Sequence, residues 1–310
     1  MRKGILIFSF LIIVFLVFVY AVIPSELKLD KLFFVNANQN TVYRSLTEKD
    51  MVIRWLKDTN GDTTNAYTKN NTRFRFNRMV IDLVRADVRN EDLQMESFIR
   101  ILPVTKDSTR LLWTGKTGAT KNPFKRIENY FNWKEANSNI DIVIEDLREF
   151  LSSEERVYGF TVNHAMVTDT LLITTAKKMN HYPTVPEYYA MIAQLREYAA
   201  ASGARETNFP MLNVTQLNDS LYETRVGLPL DKHLKDKGAI AFRRMVAGKI
   251  LIAEVRGGTG QVNQALIQMD NYLLEHGRVA PAIPFQSLVT DRSLQPDSAN
   301  WITKIYYPVL

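Results

Sequence analysis

The sequence predicts an α+β protein, an N-terminal transmembrane helix followed by a helix-gripping antiparallel sheet domain and a duplicated βαββ domain. Three features predict it. Ile5–Ile23 is a nineteen-residue apolar run. Residues 26–152 alternate short strand-like segments and close on one long amphipathic stretch. Residues 171–310 carry nearly the same pattern twice.

The apolar run follows Arg2 and Lys3 and is interrupted only by Ser9, Tyr20 and Ala21. As a helix it would be roughly 28 Å long, close to the ~30 Å hydrocarbon core of a bilayer. Two cations ahead of it and mixed charge behind it (Glu26, Lys28, Asp30, Lys31) predict an inside N-terminus, with the remaining domains extracytoplasmic, or periplasmic in a two-membrane envelope. Val19-Tyr20-Ala21 offers a small-residue cleavage site. The run is nevertheless longer than the ~7–15 residues of a signal-peptide core, which favours an uncleaved anchor over residues 1–25.

The chain has no Cys, which removes thiol nucleophiles, thiolate metal sites and redox switching. Its net charge is +6, with cations dispersed among acids except in RFRFNR at 73–78. That dispersion predicts a solvated surface rather than a nucleic-acid partner.

In residues 26–152, ELKLDKLFFVN (26–36) alternates as a strand. Asn38 is placed to cap a short helix holding Val42, Tyr43 and Leu46, with a second helical piece at Met51–Leu56. Residues 58–72 are polar and turn-rich, so a loop or hairpin. Strands are expected at Arg73–Met79, Met79–Val88, Gln94–Pro103 and Thr109–Gly115. After a break at Thr114–Pro123, a helix is expected over Phe124–Leu151, with Ile140, Val143, Ile144, Leu147, Phe150 and Leu151 on one face. The opening strand and helix (Leu27–Leu46), Trp55, and NPFKRIENYF leading into the long helix together resemble the START-like, or SRPBCC, superfamily. That resemblance implies an apolar cavity between sheet and helix for a lipid-like molecule. The alternative is a scaffold whose cavity is filled by Trp, Phe and Leu side chains.

A short polar joint, residues 153–157, leads to the repeated domain at 158–310. Its first unit reads LLITTAKKM, TVPEYYAMIAQLREYAAASG, FPMLNVT, LYETRVGLPL. Its second reads KILIAEVRG, GQVNQALIQMDNYLLEHG, IPFQSLVT, WITKIYYPVL. Each is strand, helix, strand, strand, and each closes on an apolar–Pro–apolar triplet (Leu228-Pro229-Leu230, Tyr307-Pro308-Val309). Thr184 and Glu187 form a capping-box pattern with Pro186 in the first turn, and Gly203 and Gly277 end the two helices. Two such units leave a cleft between them, a natural place for a small molecule.

VPEYYAMIAQLREYA, the Arg256–Gly260 approach to the second helix and the terminal WITKIYYPV resemble the GyrI-like domain, the effector-binding domain of AraC- and MerR-type regulators. The resemblance implies a pseudosymmetric cleft for small, often aromatic or cationic molecules, and a few relatives look hydrolytic. Where the family often carries an acid in T-E-I-Y-x-P, this chain has Lys304. Aligning the halves by their prolines sets Arg225 opposite Lys304, with Glu223 beside the first and Tyr306 beside the second. If those faces line the cleft, a neutral or anionic ligand is expected; the alternative is that Arg225 and Lys304 point to water and pair with surface acids. Tyr188, Tyr222, Trp301 and Tyr306 are candidate walls for an aromatic ligand, and Arg225, Glu254 and Lys304 candidate polar contacts.

Other chemistry is poorly supported by the sequence. GGTG at 257–260 lacks phosphate-loop spacing and reads as a tight turn. The four His residues form no metal-ligating pair, so no metal and no cofactor is expected. G-x-S-x-G is absent. The reading is a non-catalytic binding protein. Two alternatives stay open: a small-molecule hydrolase with Glu254 or Tyr306 handling the proton, and a structural or partner-binding module.

Overall fold

The computed structural model describes residues 2–56, 66–167, 171–245 and 247–310. It divides into two compact units, Met1–Ser153 and Glu154–Leu310. Each is a mixture of helix and antiparallel sheet.

The first unit begins with α1 (Arg2–Val22), whose stretch Ile5–Val22 is long and apolar enough to cross a membrane. Leu6, Phe8, Phe10, Ile13, Phe15 and Phe18 stand exposed around its whole circumference. A soluble core helix is apolar along one stripe, so this pattern suits hydrocarbon on all sides. The end of α1 is tied down. The Tyr20 hydroxyl donates to the Lys121 carbonyl (2.5 Å), the Arg126 guanidinium donates to the Ile23 carbonyl (3.1 Å), and Arg126 lies 4.5 Å from the Tyr20 ring centre.

The rest of this unit is β1 (Lys28–Val35), α2 (Gln39–Thr47), α3 (Lys49–Leu56), β2 (Tyr67–Lys69), β3 (Thr72–Val80), β4 (Leu83–Asn90), β5 (Leu93–Thr105), β6 (Ser108–Thr117) and α4 (Pro123–Leu151). The sheet order is β1-β6-β5-β4-β3-β2. The carboxamide of Asn38 accepts from the Thr41 N–H (2.9 Å), which starts α2 where the sequence placed it. Asn122 caps α4 by accepting from the N–H groups of Phe124 and Lys125, and Pro123 takes the first helical position. The polar stretch at 58–72 lies largely outside the described residues, and its described end supplies β2. The expected strand Met79–Val88 is broken by a turn at Ile81–Asp82, so β4 starts at Leu83.

α4 buries Ile140, Val143, Ile144, Leu147, Phe150 and Leu151, the face read from its spacing. Between α4 and the sheet lie Trp55, Phe74, Phe76, Trp113 and Ile140, each buried. Phe76 is within 6.5 Å, ring centre to ring centre, of Trp55, Phe74 and Trp113. Here the aromatic side chains fill the grip. The Trp113 indole N–H donates to Ser97 Oγ (2.8 Å), and the Ser97 hydroxyl donates to the Ala86 carbonyl. Ser97 faces Gly115 directly across the ladder, and a Cβ on residue 115 would sit 2.5 Å from Ser97 Cβ.

The second unit comprises α5 (Glu154–Tyr158), β7 (Val162–Met166), β8 (Leu171–Met179), α6 (Val185–Ala201), β9 (Met211–Asn218), β10 (Leu221–Pro229), β11 (Ala241–Arg244), β12 (Lys249–Arg256), α7 (Thr259–Glu275), β13 (Phe285–Leu288), a 3₁₀ turn (Ser298–Asn300) and β14 (Ile302–Val309). Its eight strands run in the order β11-β8-β10-β9-β13-β14-β12-β7. The two βαββ units are therefore mirrored in strand order about the β9–β13 pair, and β11 and β7 add one edge strand to each side. Those edge strands are absent from the repeat pattern in the sequence, and the expected joint at 153–157 is mostly the short helix α5. Tyr158 of α5 donates to Glu275 (2.5 Å) and packs edge-on to Tyr272 (5.2 Å).

α6 starts with a capping interaction in which Glu187 accepts from both the N–H (2.8 Å) and the hydroxyl (2.7 Å) of Thr184. It packs Tyr188, Ile192, Leu195 and Ala199 against Ile173, Val226 and Leu228. Each fully buried Leu or Ile there contributes about 1.5–3 kcal/mol relative to exposure.

Replacing Gly115 with Ala is expected to force β5 and β6 apart at Ser97 and to destabilise the first unit by about 1–3 kcal/mol. Denaturant unfolding of the detergent-solubilised chain checks this, and an unchanged midpoint would contradict the close approach.

Candidate functional site

The two faces of the second sheet have different fates. The Tyr307 hydroxyl donates to Asp270 on α7 (2.9 Å), and Thr224, Val226 and Leu228 are buried, the last two in the α6 core. Those residues mark the helix face. Side chains alternate along a strand and register partners share a face, so Gly227, Met211 and Ser287 lie on the other face, as do Arg225, Tyr306 and Pro308.

That second face is concave, for a reason visible in the connectivity. β11 and β12 are six strand intervals apart, roughly 29 Å measured across the sheet at about 4.8 Å per strand. Residues 245–248 join them, and the five steps from Arg244 to Lys249 reach at most roughly 18 Å. The sheet has to roll into a half-barrel to bring the two ends that close. At the end of this joining strap the Gly248 carbonyl accepts from the Val167 N–H at the end of β7 (2.9 Å).

Beneath this strap is a cavity of about 720 Å³. The first repeat supplies Leu172, Thr174, Met211, Arg225 and Gly227, and the second supplies Lys249, Pro284, Phe285 and Pro308. Met245, Ala247 and Gly248 of the strap also line it. A smaller hollow of about 230 Å³, with Ile250, Ile252, Ser287 and Tyr306 in its wall, shares Val167, Met211, Met245 and Phe285 with the larger one. The lining is mostly apolar, and its charged side chains are the cations Arg225, Arg243, Arg244 and Lys249. Arg225 donates to Glu223 (3.0 Å), while no carboxylate meets Arg243, Arg244 or Lys249 among the described residues.

The seven site residues expected from sequence fall on both faces. Arg225 lies on the floor of the large cavity. Tyr306 lines the small one and stacks flat on Phe285, ring centres 4.9 Å apart. Lys304 is one same-face step beyond Tyr306, opposite both Ser287 and Glu254 in register, and Glu254 is exposed. Tyr188, Tyr222 and Trp301 are on the helix side. Tyr222 packs edge-on to Tyr182 (5.9 Å). Tyr188 and Trp301 are buried and meet through Arg292, a residue that the sequence reading did not single out.

Arg292 is only 5% exposed. It donates to the Tyr188 hydroxyl (3.2 Å) and to Thr303 Oγ1 (2.7 Å), and lies 4.8 Å from the Trp301 ring centre. Its backbone N–H donates to the Tyr189 hydroxyl (2.7 Å). One guanidinium thus joins α6 of the first repeat to β14 of the second. No carboxylate pairs with it among the described residues, and its Nε has no partner. The surrounding phenols remain neutral. Burial pushes Tyr182 and Tyr188 up against the opposing pull of Arg292, and pushes Tyr189 up to about 12. No pattern in the sequence marks Arg292, because its loop TDRS has neither helical nor strand period. Met211, Gly227 and Phe285 were read only as strand residues. The shortness of the Arg244–Lys249 connection was the available signal for their hollow.

Gly257 (φ +126°) and Gly258 make the tight turn into α7 that the GGTG run suggested. Among the described residues no group of three or more His, Asp or Glu could hold a metal ion.

No protein-family model matches the chain, and neither does any curated protein. Among solved structures, the chain is similar to the EcmrR C-terminal domain (16% identity, TM-score 0.42, 49% of this chain and 98% of that one). A hydrolase from Listeria innocua is similar at 10% identity and TM-score 0.38, over 48% of this chain and 92% of that one. SAV2435 bound to tetraphenylphosphonium is similar at 15% identity and TM-score 0.33, over 48% and 94%. These scores are low, and neither ligand nor reaction is carried over from them.

Truncating Arg292 to Ala removes two charge-assisted hydrogen bonds and the contact with Trp301, with an expected loss of about 2–4 kcal/mol in the second unit. Denaturant unfolding followed by Trp fluorescence measures it. The raised Tyr189 pKa also sets a pH window. The unfolded phenol ionises near 10.0 and the folded one near about 12, so its contribution is complete below the first value and is lost as pH rises through the second. Alkaline unfolding monitored by tyrosinate absorbance should show Tyr189→Phe flattening this loss. An identical profile for the variant would remove Tyr189 from it.

Proposed function

We propose that the chain is a membrane-anchored, extracytoplasmic small-molecule-binding protein, with its ligand held inside the half-barrel formed by the two βαββ repeats. The observation that carries this reading is the cavity of about 720 Å³ lined by both repeats. Its size is that of a ligand site, roughly 300–1,000 Å³, and its combination of apolar surface with a few polar groups is the usual composition of one. The ligand is neutral or anionic, with an apolar, often aromatic body. Met211, Gly227, Pro284, Phe285 and Pro308 offer dispersion contacts, and Tyr306 with Phe285 forms a flat platform beside them. The lining cations Arg225, Arg243, Arg244 and Lys249 favour an anionic group and oppose a lipophilic cation. Arg225 already has Glu223, so the others carry the larger share of that preference.

The GyrI-like resemblance agrees with a pseudosymmetric binding module at 158–310, with ligand polarity inverted at Lys304. The first domain, 26–152, serves in this reading as a START-like scaffold, since aromatic side chains fill its grip. Residues 5–23 supply the anchor.

The test is a thermal-shift screen of the full chain in neutral nanodiscs against apolar carboxylates, neutral aromatics and lipophilic cations. A ligand at 100 times its Kd stabilises by about 2.7 kcal/mol. Carboxylates or neutral aromatics should raise the second unit's transition. A Gly227→Leu variant should abolish the shift, because its side chain enters the cavity between Leu172 and Met211. Uptake of lipophilic cations with no response to carboxylates, or binding unaffected by Gly227→Leu, would overturn the reading.

A further inference from the structure

The outer face of the first sheet, turned away from α4, is strongly basic at one end. Alternation along β3 sends Phe74 and Phe76 inward and leaves Arg73 and Arg75 exposed. The register then sets Arg73 directly opposite Arg89 on β4. Like charges facing each other across an antiparallel ladder destabilise it unless an anion answers them. Nearby cations are answered: Arg85 meets Asp87 (2.8 Å) and Glu96 (3.4 Å), and Lys116 meets Glu26 (3.4 Å). Arg73, Arg75 and Arg89 form no ion pair among the described residues, and the one carboxylate opposite them in register, Asp87 across from Arg75, is engaged by Arg85. All of these groups line one shallow concavity of about 560 Å³, and it keeps a net charge of +2.

The concavity lies where α1 joins the sheet. Its wall includes Glu26 and Thr117, the Thr117 N–H donates to the Leu27 carbonyl (3.0 Å), and the Thr120 N–H donates to the Ser25 carbonyl (3.1 Å). From Val22 at the end of α1 to Leu27 is at most roughly 18 Å of extended chain. The headgroup layer occupies about 5–8 Å of that distance. What remains, roughly 10–13 Å at full extension, exceeds the ~8 Å Debye length at physiological salt, so the attraction between the arginines and the bilayer surface is strongly salt-sensitive.

We propose that this face docks onto anionic phospholipid headgroups of the same bilayer that α1 crosses, with Arg73, Arg75 and Arg89 gripping the phosphates. Guanidinium suits that task, because its planar fork takes two phosphate oxygens at once. Docking fixes the orientation of the first domain on the membrane and relieves the Arg73–Arg89 opposition. The proposal rests on α1 spanning the bilayer and is independent of the ligand cavity in the second unit.

The chain has no native Cys, so Gln94→Cys in the wall of the concavity supplies a single labelling site. Energy transfer from a dye there to a headgroup-labelled lipid is measured on the full chain, in vesicles of phosphatidylcholine alone and of phosphatidylcholine with phosphatidylglycerol. Transfer should rise with phosphatidylglycerol and fall back as salt is added. The triple variant Arg73→Gln, Arg75→Gln, Arg89→Gln should lower the docked-to-undocked ratio on the order of a hundredfold. Equal transfer in both lipids, or a response unchanged in the triple variant, overturns the docking. Binding of soluble polyphosphate at physiological salt with no rise in transfer to phosphatidylglycerol assigns the face to a soluble polyanion and overturns it as well. Carbonate extraction run in parallel separates the two failures: a stripped chain sinks the anchor, whereas a retained chain with flat transfer sinks the docking alone.

Discussion

A chain that must cross six strand intervals of an eight-stranded sheet in four residues can do so only if the sheet rolls up. The connection between β11 and β12 imposes this on the second unit. The consequences follow in order. Rolling makes one face concave and turns the other toward the helices. The concave face cannot be packed by a helix of its own, so small and flat residues (Gly227, Ala241, Pro284, Pro308) leave a hollow there. Met245, Ala247 and Gly248 of the strap that forced the curl also line it. Cavity and connection are the same geometric fact seen from inside and outside the barrel.

The helix face solves the opposite problem of holding two similar halves together. β9 and β13 meet over only two register pairs, Leu212 with Gln286 and Met211 with Ser287. So short a ladder is a weak joint. Arg292 reinforces it by reaching Tyr188 on one side and Thr303 and Trp301 on the other. Burying a guanidinium without a carboxylate is expensive. The expense is limited here because hydroxyl and aromatic groups meet the charge and delocalised guanidinium is weakly hydrated to begin with. On the concave side Arg225 is paired with Glu223, and Arg243, Arg244 and Lys249 are left exposed.

The first unit uses alternation to the same end of giving one strand two roles. RFRFNR places Phe74 and Phe76 against Trp55 and Trp113 while its arginines cover the outer face. The inner rings pack on one another between the helices and the sheet. The outer charges lie on the same unit as an apolar helix long enough to cross a membrane.

Periodicity and punctuation in the chain were enough for the elements that are governed locally. Asn38, Asn122 and Thr184 mark helix starts because a cap is a contact within one turn, and Ile140 to Leu151 mark a buried face because 3.6-residue spacing is local geometry. The duplicated βαββ order was legible for the same reason, as was the apolar length of residues 5–23. Tertiary structure alone decided which sheet face each candidate residue occupies. It parted Tyr188, Tyr222 and Trp301 from Arg225, Lys304 and Tyr306, recruited the edge strands β7 and β11, and brought Arg292 into the seam. Those outcomes depend on register and curl, which are set by contacts between segments far apart in the chain, and no short window of sequence encodes them.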